Sequence, residues 1–124
     1  MNHGRKLTGG KYHANRKKKK FESSSQTRIV KLGKEKKKEV RGMGGNHKVV
    51  LISTDVCNLF NPKTKKSEIV KIKNVAETPS NRFLARQNIL MKSAIIDTEK
   101  GKARITNRPS QEGNVQAILI ESAK

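Results

Sequence analysis

The sequence predicts a mainly β chain: a small closed β-barrel preceded by a basic, largely irregular N-terminal extension. Three observations carry this reading. Charge and apolar content segregate: residues 1–48 hold sixteen of the 29 Lys and Arg but only ten of the forty hydrophobic residues. Beyond residue 48, β-branched runs and apolar/polar alternation recur. Turn signals part these runs at short intervals, which favours a barrel over a sandwich because a barrel closes its own edges. At 124 residues the chain accommodates one domain and a tail. The division is drawn at residue 40, with an extension over 1–40 and the barrel over 41–124.

Residues 1–26 read as irregular. They hold Gly4, Gly9, Gly10, a five-cation run and Ser23-Ser24-Ser25, with no apolar period. Ile29-Val30-Lys31-Leu32 reads as a short strand stopped by Gly33, and 34–40 as a short, highly charged helix. Gly42, Gly44 and Gly45 mark a connector. Val49-Val50-Leu51-Ile52 opens a strand that continues through Cys57. Asn61-Pro62-Lys63-Thr64 is a turn. Ile69-Val70-Lys71-Ile72-Lys73 has the alternation of a half-buried strand, broken by Pro79. Residues 80–88 read as a helical turn seating Phe83 and Leu84. Residues 93–98 and 103–106 are strands joined by a tight turn at Glu99-Lys100-Gly101-Lys102. A loop over 108–113 leads to a last strand over 115–120. Ile72-Lys73-Asn74 before Pro79-Ser80 is echoed by Ile105-Thr106-Asn107 before Pro109-Ser110. Two related β units and chance similarity both remain open as explanations.

Cys57 is the single cysteine, so no intramolecular disulfide can form. Its apolar surroundings in sequence predict a buried, inert thiol. No apolar stretch reaches the roughly twenty residues of a membrane span. The basic start has no apolar core of a secretory signal, and it lacks the Leu/Phe/Trp face of an interfacial anchor. No membrane partner is expected.

Catalytic patterns are missing. Gly4 and Gly9 have the spacing of a phosphate-binding loop, but Gly10 stands where that loop needs Lys, and Tyr12 follows Lys11. His3, His13, His47 and Cys57 lack the paired spacings of a zinc site. Asp55, Asp97 and Glu99 sit at strand ends, where pairing with Lys is the usual role. The expectation is a protein that is not an enzyme, with no catalytic residue, metal, cofactor or small-molecule substrate.

The positive charge points to a partner. Residues 1–48 carry sixteen cations against three acids, a surplus of thirteen within a formal net charge of +19. Arg16-Lys17-Lys18-Lys19-Lys20 cannot be buried, because each unpaired ammonium would cost several kcal/mol to desolvate. Such density fits a polyanion, of which nucleic acid is the commonest in a cell. Aromatic content is 3%, with no Trp, so no stacking platform for single strands is present. Phosphates and shape must therefore carry recognition, which suits structured RNA.

Five stretches in order resemble the S8e family of archaeal and eukaryotic small-subunit ribosomal proteins, in its short archaeal form. They are Arg5-Lys6-Leu7-Thr8-Gly9-Gly10 with Tyr12 and the run to Lys20; Gly33 with Val40-Arg41; Gly44-Gly45-Asn46 with Lys48; Pro79-Ser80-Asn81 with Arg86, Asn88 and Ile89; and the hairpin from Thr98 to Pro109. Ser23-Ser24-Ser25 departs from the family, which places an apolar residue and a glycine there. The long eukaryotic insertion is missing. The resemblance implies a β-barrel embedded in small-subunit rRNA, an extension penetrating between RNA helices, and a structural role in the cytoplasmic ribosome beside other ribosomal proteins. Homo-oligomers are not expected.

The expected RNA-binding residues are Arg5, Lys6, Lys11 and Arg16, Lys17, Lys18, Lys19, Lys20 on phosphates. Gly9, Gly10, Gly44, Gly45 and Asn46 would allow close backbone passage. Arg41, Lys48, Arg82, Arg86, Lys102, Arg104 and Arg108 would anchor the domain. Arg104 and Arg108 flank the hairpin return and suit bidentate phosphate binding, with Glu99 and Glu112 as competing partners. The alternatives are a ribosome-assembly factor of the same superfamily, a DNA-packaging basic protein and, more weakly, a small RNA-modifying enzyme.

Overall fold

The structure, a computed structural model, describes residues 4–12, 16–23 and 27–122. Five strands close into a barrel: β4 (Val56–Asn61), β5 (Lys66–Glu77), β6 (Ile95–Thr98), β7 (Gly101–Ile105) and β8 (Gln116–Ser122). Neighbours are antiparallel except at the seam, where β4 runs parallel to β8 with Asn58 opposite Gln116 and Phe60 opposite Ile118. Side-chain alternation explains the closure. Cys57, Leu59, Val70, Ile72, Ile96, Ala103, Ile105 and Ala117 point inward and are buried, while their strand neighbours face out. Each large apolar side chain so buried stabilises by about 1.5–3 kcal/mol. Ala94, Ala103 and Ala117 keep the narrow interior filled without overpacking.

A second sheet lies beside the barrel, in the order β1–β3–β2: β1 (Lys31–Leu32), β2 (Lys36–Arg41) and β3 (His47–Thr54). The helix expected over 34–40 is here a strand, β2, paired antiparallel with β3 from Lys36 to Arg41. The reason is burial. The stretch has one apolar residue, Val40, so a helix would have no stripe to bury, whereas a strand gains a full ladder from β3. Tertiary pairing overrides the helix propensity of Lys and Glu.

The run expected to continue from Val49 through Cys57 is divided between the two sheets. Thr54 Oγ1 accepts the Val56 N–H at 3.3 Å, and the Asp55 carbonyl accepts the Ile72 N–H at 2.8 Å. Together they turn the chain out of β3 and into the barrel. The expected division at residue 40 falls inside β2, and Val30, which is 2% exposed, belongs to the core.

Each barrel hairpin ends in a short helix. After β5 comes α1 (Arg82–Arg86), whose Asn81 cap accepts the Phe83 N–H at 3.0 Å. After β7 comes α2 (Pro109–Glu112), where a loop was expected. Its signals were in the sequence: Pro109 at the first helical position and Gly113 just past the end. Gly113 has φ +74, and a Cβ there would lie 3.2 Å from the Val49 carbonyl oxygen, so this end of α2 closes against β3. The strand–turn–strand–helix order thus occurs twice, each time after one of the Asn…Pro-Ser echoes begins.

Candidate nucleic-acid interface

The N-terminal cations sit on locally closed backbone. Arg5 and Lys11 form an antiparallel bridge around a turn in which Lys6 N–H reaches the Gly10 carbonyl and Gly9 N–H the Lys6 carbonyl, both at 2.8 Å. Gly9 has φ +80, which the turn requires. Arg5 Nη1 donates to the Gly9 carbonyl at 3.1 Å, and Lys6 Nζ stands 5.6 Å from the Tyr12 ring. The described residues in this stretch are exposed.

The five-cation run is folded back by one acid. Arg16 makes a two-pronged pair with Glu22, at 2.7 Å on each oxygen, and Glu22 also accepts the Lys19 N–H at 3.1 Å. Arg16 holds the Glu22 carboxyl below its ordinary value, with the Lys19 amide adding to the effect, and Glu22 raises Arg16 in turn. Lys17 and Lys18 are exposed with no partner among the described residues, and Lys19 lies 5.7 Å from the Phe21 ring. For Lys20 the backbone alone is described. Arg16, expected on phosphate, is engaged internally. The described outward charge of the run is that of Lys17, Lys18 and Lys19.

In the smaller sheet, β2 and β3 are joined by the exposed loop 42–46. Gly42 N–H meets the Asn46 carbonyl, and Asn46 Nδ2 donates to the Met43 carbonyl at 3.0 Å. Gly44 and Gly45 have φ +69 and +76, so the hairpin itself needs glycine there. Arg41 pairs across the ladder with His47, whose Nδ1 lies 2.8 Å from Glu39. Lys36, Lys38 and Arg41 are exposed, whereas Lys37 pairs with Glu35 at 2.6 Å. Lys48 Nζ reaches across to Gln111 of α2. It serves as a link between elements as well as a surface charge.

On the barrel, Arg82 and Arg86 lie four apart on α1 and are exposed, with no partner among the described residues. Lys102 and Arg104 share the outer face of β7. Arg104 stands between Ile95 and Ile118 in the ladder, and Lys102 is opposite Asp97. Arg108 caps α2. Its backbone N–H donates to Glu112 at 3.2 Å, but its guanidinium takes neither Glu112 nor Glu99 as partner among the described residues. Arg104 thus lies on a barrel strand and Arg108 at the start of a short helix.

Two cations were missed in the sequence. Arg28 donates from Nε to Ser110 Oγ at 3.1 Å, 82 residues on, and Lys92 lies in the connector before β6. Neither stands in a charge run, so no spacing marks them; their setting is created by the fold. Among the described residues no group of three or more His, Cys, Asp or Glu is placed to hold a metal. His3 and His13 lie outside the described residues. Burial pushes the Cys57 thiol up to about 11, which leaves it protonated and unreactive near neutrality.

A family model described as "Ribosomal protein S8e" matches residues 1–120. The chain is similar to the small ribosomal subunit protein eS8 of Sulfurisphaera tokodaii, at 46% identity over 119 residues covering 94% of this chain and 92% of that one. Its similarity to the protein of the same name from Methanocella arvoryzae is 43% over 116 residues, covering 94% and 93%. For Methanococcus aeolicus the identity is 46% over 117 residues, covering 94% and 91%. With a near-complete family match and relatives well above the level at which family membership is secure, this chain belongs to the ribosomal protein S8e family.

Proposed function

We propose that this protein is a structural constituent of the small ribosomal subunit in the cytoplasm, binding ribosomal RNA through phosphate and shape contacts, without catalysis. The observation that carries this reading is the disposition of Lys17, Lys18 and Lys19. They are exposed on a backbone turned by the Arg16–Glu22 pair and have no acid partner among the described residues. Unpaired cations at this density serve a polyanion and contribute little to folding. The relatives are named as small ribosomal subunit proteins, which supports the RNA of that subunit as the partner. The extension would lie between RNA helices, with Arg5, Lys6 and Lys11 on phosphates. Arg41, Arg82, Arg86, Arg104 and Arg108 would hold the barrel beside them and neighbouring ribosomal proteins.

Sucrose-gradient fractionation of cell extract with immunodetection tests the assignment. The protein is expected in mature small subunits. Its presence in precursor particles alone would assign it instead to ribosome assembly, and co-fractionation with chromosomal DNA would make it a packaging protein.

A further inference from the structure

Between the segment entering the smaller sheet, the connector after α1, and α2 lies an open groove of about 570 Å³. Its floor is apolar, formed by Ile29, Leu84, Ile89, Met91 and Pro109. Ile29 is 50% exposed although it adjoins the buried Val30. An apolar concavity kept open to water on an otherwise highly charged protein points to an occupant.

The rim says which kind. Arg28, Lys92 and Arg108 line the groove, and among the described residues no carboxylate does. Glu112, the acid of α2, is turned elsewhere: its oxygens accept from Asn107 Nδ2 at 3.1 Å and the Arg108 N–H at 3.2 Å. Arg28 is held in place through Nε on Ser110, which leaves its two terminal nitrogens without a partner among the described residues. An apolar floor among three cations, one of them held in place, complements a flat uncharged ring carried on a chain of phosphates.

We propose that this groove binds a single unstacked RNA base against Ile29, Leu84 and Met91, with Arg28, Lys92 and Arg108 on the flanking phosphates. This rests on the rRNA-binding function proposed above and adds to it a site that reads a base as well as shape. Extruded bases are commonly held between apolar side chains or on guanidinium planes. The protein needs no aromatic platform for this, because one base, unlike a strand, requires one slot. The guanidinium of Arg28, pinned at the groove edge, supplies a planar partner.

The test is footprinting of small-subunit rRNA transcript bound to the full-length protein, with base-specific reagents and hydroxyl radicals in parallel. Three proteins are compared: the native chain, Ile29→Asp, and Ile69→Asp as a control on β5, where Ile69 is 76% exposed and does not line the groove. The proposal expects one unpaired base, or two adjacent ones, protected by the native chain and by Ile69→Asp. Ile29→Asp should lose that protection while keeping the backbone footprint. Its affinity should fall about fivefold to tenfold, the lower part of the range for one stacked base. Arg28→Gln, which leaves the floor intact, should weaken the same protection. Backbone protection with no base protection sensitive to position 29 would overturn the groove proposal and leave the rRNA reading standing. No footprint of either kind would overturn both. A photocrosslinking residue at position 29 should link to rRNA in assembled subunits; a link to protein would assign the groove to a neighbouring protein and overturn the proposal.

Discussion

The carbonyl of Val30 accepts the Leu90 N–H at 2.8 Å, and both residues are 2% exposed. This one bond stitches the segment leading out of the basic tail to the connector before β6. Beside it, Leu32 N–H reaches the Asn88 carbonyl at 2.9 Å, and Asn88 Oδ1 accepts the Val75 N–H at 3.1 Å. Residues 27–41 are therefore part of the folded unit, although their charge resembles that of the tail.

Truncation separates these contributions. Removing residues 1–26 deletes no side chain of the described core and should leave the unfolding free energy within about 0.5 kcal/mol of the full chain's. Removing residues 1–41 takes away Val30, β1 and β2. It should cost more than about 3 kcal/mol, since it uncovers Leu51 and leaves β3 without either partner. Denaturant unfolding followed by circular dichroism measures both.

Core and surface substitutions on adjacent positions of β7 should part company. Ile105, 1% exposed, should cost about 2–5 kcal/mol when changed to Ala, and so should Ile72 at 6%. Arg104→Gln, on the outer face, should shift stability by less than about 0.5 kcal/mol and yet lower incorporation into small subunits. Thermal melts and reconstitution assays on the same preparations give the comparison.

The barrel was legible because its code is local. Alternation at Val70 and Ile72, the Glu99-Lys100-Gly101-Lys102 turn and the final Val115-to-Ile120 run each specify their own strand. In the smaller sheet β1 and β3 were legible too, and β2 was hidden for the opposite reason. Lys36, Lys37, Lys38 and Glu39 favour a helix on local propensity, and a strand is decided only by the ladder that β3 offers across the Gly42–Asn46 loop. The candidate interface divides the same way. The tail's cations announce themselves as a run, whereas Arg28 and Lys92 acquire a setting only when α2 and the α1 connector fold beside them. The engagement of Arg16 by Glu22 needs a turn that no spacing rule predicts.

Cys57 should ignore thiol reagents at pH 8 in the folded protein and react at once on unfolding, which a colorimetric thiol assay will follow. Burial raises its folded value to about 11 from an ordinary 9.0. The folded state thus holds this proton more tightly than the unfolded chain does. The associated stability is fully present below pH 9.0 and declines as pH rises toward about 11.

The Arg16–Glu22 clip should depend on pH in the other direction. Its carboxylate is held below the ordinary value by Arg16, so the clip is fully formed above the unfolded carboxyl's pKa and opens as pH falls through the lowered folded one. Carboxyl chemical shifts of Glu22 titrated by NMR should show the depressed midpoint. Arg16→Gln should return it to the ordinary carboxylate value, and an unshifted midpoint in the native chain would mean that the pair does not persist in solution.

The salt dependence of rRNA binding tests the central account most directly. With six to ten phosphates neutralised, affinity of the full chain for small-subunit rRNA transcript should fall by about a thousandfold or more between roughly 50 and 200 mM monovalent salt. Replacing Lys17, Lys18 and Lys19 with Gln should flatten the slope of log affinity against log salt by about one per lost contact, two to three in all. A slope that the triple variant leaves unchanged would show that these lysines are merely solvated, and would contradict the account.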